Sequence, residues 1–140
     1  MKTLWIVLLS LSIWNMASCQ TTTTNLEEQL IGSWVYIRAS AEATVDSATI
    51  KIDSLWKTPK YEVTKLHIQK AGVVINDQGC YDINEHYYLK ENSFFRYGEG
   101  AKKKDAVEYQ IVYIDKDHLV LGGKRENNSY TSYYKRAQKK

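Results

Sequence analysis

The sequence predicts an all-β domain, an antiparallel up-and-down β-barrel of about eight strands preceded by a short N-terminal helix. Three observations predict it. Eleven tyrosines and many Val, Ile and Thr residues fall in short runs, with a single proline at Pro59, and such composition favours pleated sheet. No long stretch repeats its apolar residues every 3.6 positions, so helices have little to build on. The runs also follow one another through short polar joints without cysteine staples. Consecutive antiparallel strands of this kind lose their unpaired edges by closing on themselves. A two-sheet sandwich is the competing arrangement.

Residues 1–18 stand apart from this pattern. Met1-Lys2-Thr3 is a positively charged lead, Leu4 to Trp14 is apolar except for Ser10 and Ser12, and the run closes on Met16-Ala17-Ser18-Cys19. An apolar core of about ten residues is too short to span a bilayer, which takes ~20. A charged start, a short apolar stretch and small residues before a cut site read as an export signal. The closing tetrad resembles a bacterial lipobox. That resemblance implies cleavage between Ser18 and Cys19 and a diacylglyceryl group on the Cys19 thiol, although Met16 stands where Leu is usual. An ordinary secretory signal that contains a cysteine is the alternative.

Charge and cysteine use narrow the classes further. Of 19 basic residues only Lys2 lies in the signal, so the remainder exceeds the 16 acidic residues by just two. That surplus supplies no concentrated basic face for nucleic acid. With Cys19 lipidated, Cys80 has no partner in the chain and no internal disulfide forms. Cys80 then reads as a small buried hydrophobe, with an intermolecular bridge or a reactive thiol as alternatives.

Residues 19–25, from Cys19 through the threonines to Asn25, read as a polar tether. Residues 26–140 read as a single domain, long enough for a core of its own. Asn25 is placed to cap a brief helix over Leu26 to Leu30, with Glu27 and Glu28 in its first turn. Ser33 to Ala39 follows as a strand, with Trp34 and Tyr36 on one face and Val35 and Ile37 on the other. Thr49 to Leu55 alternates well enough for a strand, yet Val45, Thr49, Ile52 and Trp56 also fit a helix. Trp56, near Pro59, reads as part of a loop.

From Glu62 the alternation strengthens. Lys65 to Gln69 and Val73 to Ile75 flank a turn at Lys70-Ala71-Gly72, and Asn76 to Gly79 turns again. Cys80 to Ile83, Tyr87 to Lys90 and Ser93 to Tyr97 read as three short strands, followed by a loop over Gly98 to Asp105. Its Lys102-Lys103-Lys104 run reads as a solvated loop rather than a membrane-facing patch. Val107 to Ile114, His118 to Leu121 and Ser129 to Arg136 complete eight or nine strands, with Asn127-Asn128 as a tight turn.

Leu30-Ile31-Gly32-Ser33-Trp34, behind a short helix, resembles the opening of the lipocalin family, and more narrowly that of small lipocalin-like lipoproteins of Bacteroidetes-type bacteria. Leu66-His67-Ile68 before Lys70-Ala71-Gly72-Val73 is similar to that family too. So are Tyr109-Gln110-Ile111 before Leu119-Val120-Leu121, and the closing Tyr133-Tyr134-Lys135-Arg136. The resemblance implies that Gly32 turns the chain into the first strand, that Trp34 plugs the barrel base and that Arg136 lies over the indole. It also implies a small hydrophobic ligand, for which Tyr36, Tyr130 and Tyr134 are candidate contacts or core filling. The Thr-Asp-Tyr-like turn of larger lipocalins is absent, which argues against the large transport subfamily.

Catalytic chemistry has no signature here. The chain contains no His-Glu-x-x-His segment, no paired cysteines at a zinc spacing, no Gly-x-Ser-x-Gly elbow and no phosphate-cradling glycine loop. His67, His86 and His118 fall on separate strands or edges. The expectation is therefore a non-enzymatic protein without metal or cofactor, held to a membrane of the bacterial envelope by its lipid. Gln20 and four threonines follow Cys19 where surface-exposed lipoproteins of this type carry acidic residues, so the expected location faces the periplasm. A filled barrel that binds a protein partner, as an inhibitor, immunity or assembly factor, is the alternative function.

The anchor reading makes a direct prediction. Cys19→Ala abolishes lipidation and cleavage by the lipoprotein peptidase, which metabolic labelling with a fatty-acid probe will detect. Equal labelling of the two forms would reject Cys19 as the lipid site.

Overall fold

A computed structural model of the chain describes residues 21–41, 50–51, 53–57 and 64–138. Eight antiparallel strands run in sequence order around a closed barrel: β1 (Gly32–Ser40), β2 (Lys65–Gln69), β3 (Val73–Asp77), β4 (Asp82–Lys90), β5 (Ser93–Gly98), β6 (Val107–Ile114), β7 (His118–Arg125) and β8 (Asn128–Arg136). Helix α1 (Thr21–Leu30) precedes them. Each strand pairs with its sequence neighbour, and β1 pairs with β8 to close the ring. The sandwich alternative is excluded, because every strand among the described residues belongs to the single closed sheet.

The period-2 alternation of each strand sends one row of side chains inward and one outward. The inward row builds the main core from Trp34, Leu66, Ile68, Val74, Tyr87, Phe94, Leu119 and Leu121, joined by Leu30 from the end of α1, all buried. The wall is also covered from outside. Ile37, Val120 and Tyr133 project outward and bury Trp56, with Val35, Ile50, Val112 and Tyr113 packed beside them. Trp56 closes a short 3-10 turn, Asp53–Trp56. Its indole N–H donates to the Ile50 carbonyl (2.8 Å), and its ring lies 4.2 Å from that of His118. This part of the Thr49 to Leu55 stretch is therefore a cover over the barrel and not a ninth strand, and Trp56 is a core residue rather than a loop residue.

Several boundaries differ from the sequence reading, each for a local reason. Helix α1 takes in the threonines from Thr21, so the segment read as a tether is helical over most of its length, and Asn25 sits inside the helix. The Asn25 side chain accepts a bond from the Gln29 amide at i+4 instead of capping an end. Asp82 and Ile83 join Tyr87 to Lys90 in one strand, β4, because pairing with β3 and with β5 supports the polar residues between them, while Cys80 and Tyr81 stay outside it. Cys80 itself is exposed in the β3–β4 turn, where its neighbour Asp77 accepts the Gly79 N–H. Strand β7 continues through Gly122 and Gly123 to Arg125, so the β7–β8 turn is Glu126–Asn127, one residue earlier than the asparagine pair suggests. The Lys103–Asp105 segment is a short 3-10 turn whose Lys103 ammonium lies 4.3 Å from the Tyr88 ring centroid.

The β6–β7 turn is fastened by Asp115. Its carboxylate accepts the N–H groups of Asp117 and His118 (both 2.7 Å) and the Tyr113 hydroxyl (2.8 Å), with the His118 imidazole at 3.2 Å. Burial alone would raise its pKa, but these donors outweigh it and hold the carboxyl at about 2.

Trp34 is fully buried, so its loss combines a transfer penalty with a residual cavity. Trp34→Ala will cost about 3–5 kcal/mol in urea unfolding of protein lacking residues 1–19. A variant as stable as its parent would mean that the indole is not the barrel's plug.

Candidate functional site

Closing the barrel aligns Trp34 with Arg136 across the β1–β8 ladder. The Arg136 guanidinium lies 4.0 Å from the indole centroid and donates to the carbonyls of Ile31 (3.0 Å) and Gln29 (2.7 Å). These are carbonyls that the end of α1 leaves without helical partners. The Trp34 indole N–H donates to a third, that of Leu30 (2.7 Å). Gly32 makes room for the contact. It sits at φ 141°, and a Cβ there would approach Arg136 Nη1 to 2.3 Å. This end of the barrel is a sealed floor. Tyr87 adds to it, with its hydroxyl within 3.1 Å of Glu27 and 3.0 Å of the Gln69 carbonyl; burial, then Glu27, pushes its pKa up.

Toward the other end the inward row changes chemistry. Tyr36 and Tyr134, in register on β1 and β8, meet edge to face with centroids 5.6 Å apart. Tyr109 of β6 packs against the main core in the same layer, and Tyr130 of β8 is near enough to raise its pKa. Arg96 of β5, only 7% exposed, pairs with Glu85 of β4 and lies 5.3 Å from the Tyr109 ring centroid. Its Nε is buried with no hydrogen-bond partner. A buried N–H of this kind is uncommon in native structures and costly to leave unmet.

The wall opens beside this layer. Strands β6 and β7 are in register only from Gln110 and Gly122 toward their shared turn, so Val107 to Tyr109 and Gly123 to Arg125 splay apart. A cleft of about 570 Å³ occupies the splay, with Val107, Gln110, Lys124 and Tyr130 in its lining. Tyr130 lies directly on Gly123, where a Cβ would come within 2.5 Å of the ring. Only glycine there lets the ring lie across β7, with its edge in the cleft. Ile83 and Val107, inward-facing residues near the rim, are 40% and 51% exposed, so the mouth has an apolar lip.

Of the residues singled out from sequence, Gly32, Trp34 and Arg136 thus meet at the floor. Tyr36 and Tyr134 touch in the upper layer, and Tyr130 stands between that layer and the cleft. Ser18 and Cys19 lie outside the described residues. Sequence reasoning missed Arg96, took Glu85 for one of several acidic turn residues, and used Tyr109 only as part of the resemblance. A signal existed: in Phe94-Phe95-Arg96-Tyr97, alternation puts an arginine on the face that Phe94 marks as core.

A second constellation lies on the outer wall. The Ser33 hydroxyl is 2.7 Å from His67 Nδ1, and His67 Nε2 is 3.8 Å from Asp77. These residue types form hydrolytic triads elsewhere, with the serine set under a pocket beside converging donors. Here Ser33 is paired with β2 on a convex wall, its carbonyl accepts the Ala137 N–H, and it borders no cleft described above. Among the described residues no cluster of His, Cys, Asp or Glu is arranged to hold a metal ion.

In class, then, the chain is a closed eight-stranded antiparallel barrel of lipocalin-like shape, sealed at one end and polar-lined near the other. No protein-family model matches the chain, and no curated protein matches it significantly.

Burial pushes the Tyr134 hydroxyl up to about 12 and raises that of Tyr109, where Arg96 opposes the shift and Tyr130 and Glu85 add to it. The folded state therefore favours the protonated phenol. This stabilisation is complete below the ordinary tyrosine value of 10.0 and is lost as pH rises toward about 12. Phenolate absorbance will accordingly rise in two stages, and Tyr134→Phe will shrink the later one. A single stage near the ordinary value would place Tyr134 in solvent.

Proposed function

We propose that this protein is a lipid-anchored, non-enzymatic member of the lipocalin-like barrels of the bacterial envelope, facing the periplasm, and that it binds a small hydrophobic ligand in the open half of its barrel. The observation that carries the reading is the buried Arg96 Nε, without a partner, in a layer of tyrosines of which Tyr130 also lines the cleft between β6 and β7. A barrel that only needed filling would be expected to continue the apolar packing of its floor into this layer. Edge-to-face Tyr36 and Tyr134 offer an apolar wall with polar tips, which suits a ligand that is mostly hydrocarbon. The Met1–Cys19 segment supports the anchor, which needs two or three acyl chains to hold firmly. Among the described residues no helix is long and apolar enough to cross a membrane.

A second reading has one observation in its favour. His86, Tyr88, Phe95 and Tyr97 form an aromatic row on the outside of β4 and β5, with Tyr88 stacked on Phe95 at 4.8 Å. Such a row suits a protein-binding envelope factor.

Titration of N-phenyl-1-naphthylamine into the folded, delipidated domain separates the two. Saturable uptake is expected, and Tyr36→Ala or Tyr134→Ala will weaken it at least tenfold, a change of about 1.4 kcal/mol. Absence of saturable uptake, with capture of a partner that loss of Tyr88 abolishes, would remove the ligand reading and establish the second.

A further inference from the structure

We propose that the open half of the barrel selects an uncharged ligand whose apolar body carries one oxygen acceptor, the carbonyl of an ester or ketone, and discriminates against the same body ending in a carboxylate. The inference rests on the ligand reading above and adds the chemistry of the head group.

Two features of the upper layer fix that chemistry. The first is a donor without an acceptor. Arg96 is 7% exposed, one terminal nitrogen is taken by Glu85, and its Nε is buried with no partner. A group that enters the layer gains most by bringing an oxygen to that N–H. The second feature is the charge already present. Glu85 neutralises Arg96 within the layer, and the Tyr109 and Tyr134 hydroxyls, uncharged at neutral pH as tyrosines ordinarily are, have their pKa values raised further by burial. A ligand carbonyl would satisfy the Nε and leave the layer neutral. A ligand carboxylate would satisfy it too, but would set a second negative charge beside Glu85 in a desolvated space, where an uncompensated charge is strongly disfavoured. The guanidinium supplies the hydrogen bond, and Glu85 sets the sign of what is refused.

Glu85→Gln removes the neutralising charge while keeping the side chain's shape. Arg96 then carries an unmatched positive charge, and a carboxylate becomes the ligand that restores balance. The test is displacement of N-phenyl-1-naphthylamine from the delipidated protein by methyl decanoate and by decanoate at neutral pH, where the free acid is ionised. Wild type should favour the ester at least tenfold. Glu85→Gln should bring decanoate to parity or better, and decanoate should raise its melting temperature more than that of wild type. Arg96→Met should weaken the ester at least tenfold. If the probe enters and decanoate competes as well as the ester in wild type, or if Glu85→Gln leaves the preference unchanged, the head-group inference is overturned while the ligand reading stands. If neither probe nor ligand enters, the ligand reading falls and this inference with it.

Discussion

The guanidinium of Arg136 lies over the Trp34 indole and, from the same position, donates to the carbonyls of Gln29, in the last turn of α1, and Ile31, just beyond it. One side chain from the final strand thus joins the first strand and the helix before it. The contact forms only if the sheet closes, because Trp34 and Arg136 are neighbours across the β1–β8 ladder and 102 positions apart in the chain. It is geometrically exclusive as well. Gly32 leaves no side chain where the guanidinium passes, and the indole N–H is spent on the same helix end. An arginine over an indole contributes about 0.5–2 kcal/mol, more as water is excluded. Its larger effect is to fix which end of the barrel is sealed.

Sealing one end divides the interior. Near the floor, Leu, Ile, Val and Phe side chains fill the space around Trp34. Away from it, the strands carry residues that a dry core tolerates poorly: four tyrosines, an arginine and a glutamate. The barrel tolerates them because stability comes from elsewhere. The outer wall buries Ile37, Val120 and Tyr133 beneath Trp56, so β1, β7 and β8 are packed on both faces. Strands β1 and β8 stay paired along their length, through a bulge after Tyr36, while β6 and β7 splay at the far end. The cleft therefore lies beside the most heavily supported part of the sheet, and the site is mounted on a rigid element.

How much of this was legible follows from the range of each signal. Period-2 alternation is local, so it sorted Trp34 and Tyr36 from Val35 and Ile37 and gave the number of strands to within one. Bulges are not local signals. The register shifts between Tyr36 and Arg38 and between Ile111 and Tyr113 depend on the partner strand, and no residue in either run marks them. Trp56 illustrates a further limit. Its neighbours suggest a loop, and only the outward apolar row of the barrel wall explains why it is buried. Cys80 was misread in the opposite direction, since its residue type favours burial but its turn leaves nothing to bury it. Threonine is a β-branched residue of low helix propensity, so residue type alone could not place the helix start.

The upper layer was the least legible part because its meaning lies in a sum. Glu85 and Arg96 are eleven residues apart on adjacent strands, and each alone resembles an ordinary surface charge. Brought together under the mouth, they cancel, and the cancellation determines what the layer can accept. A lone buried arginine would make an anion site. On the proposed reading, the same arginine already matched by a carboxylate, yet keeping one N–H unspent, makes a site for a neutral acceptor. Protonated tyrosines around it reinforce that character, since each presents a hydroxyl without adding charge.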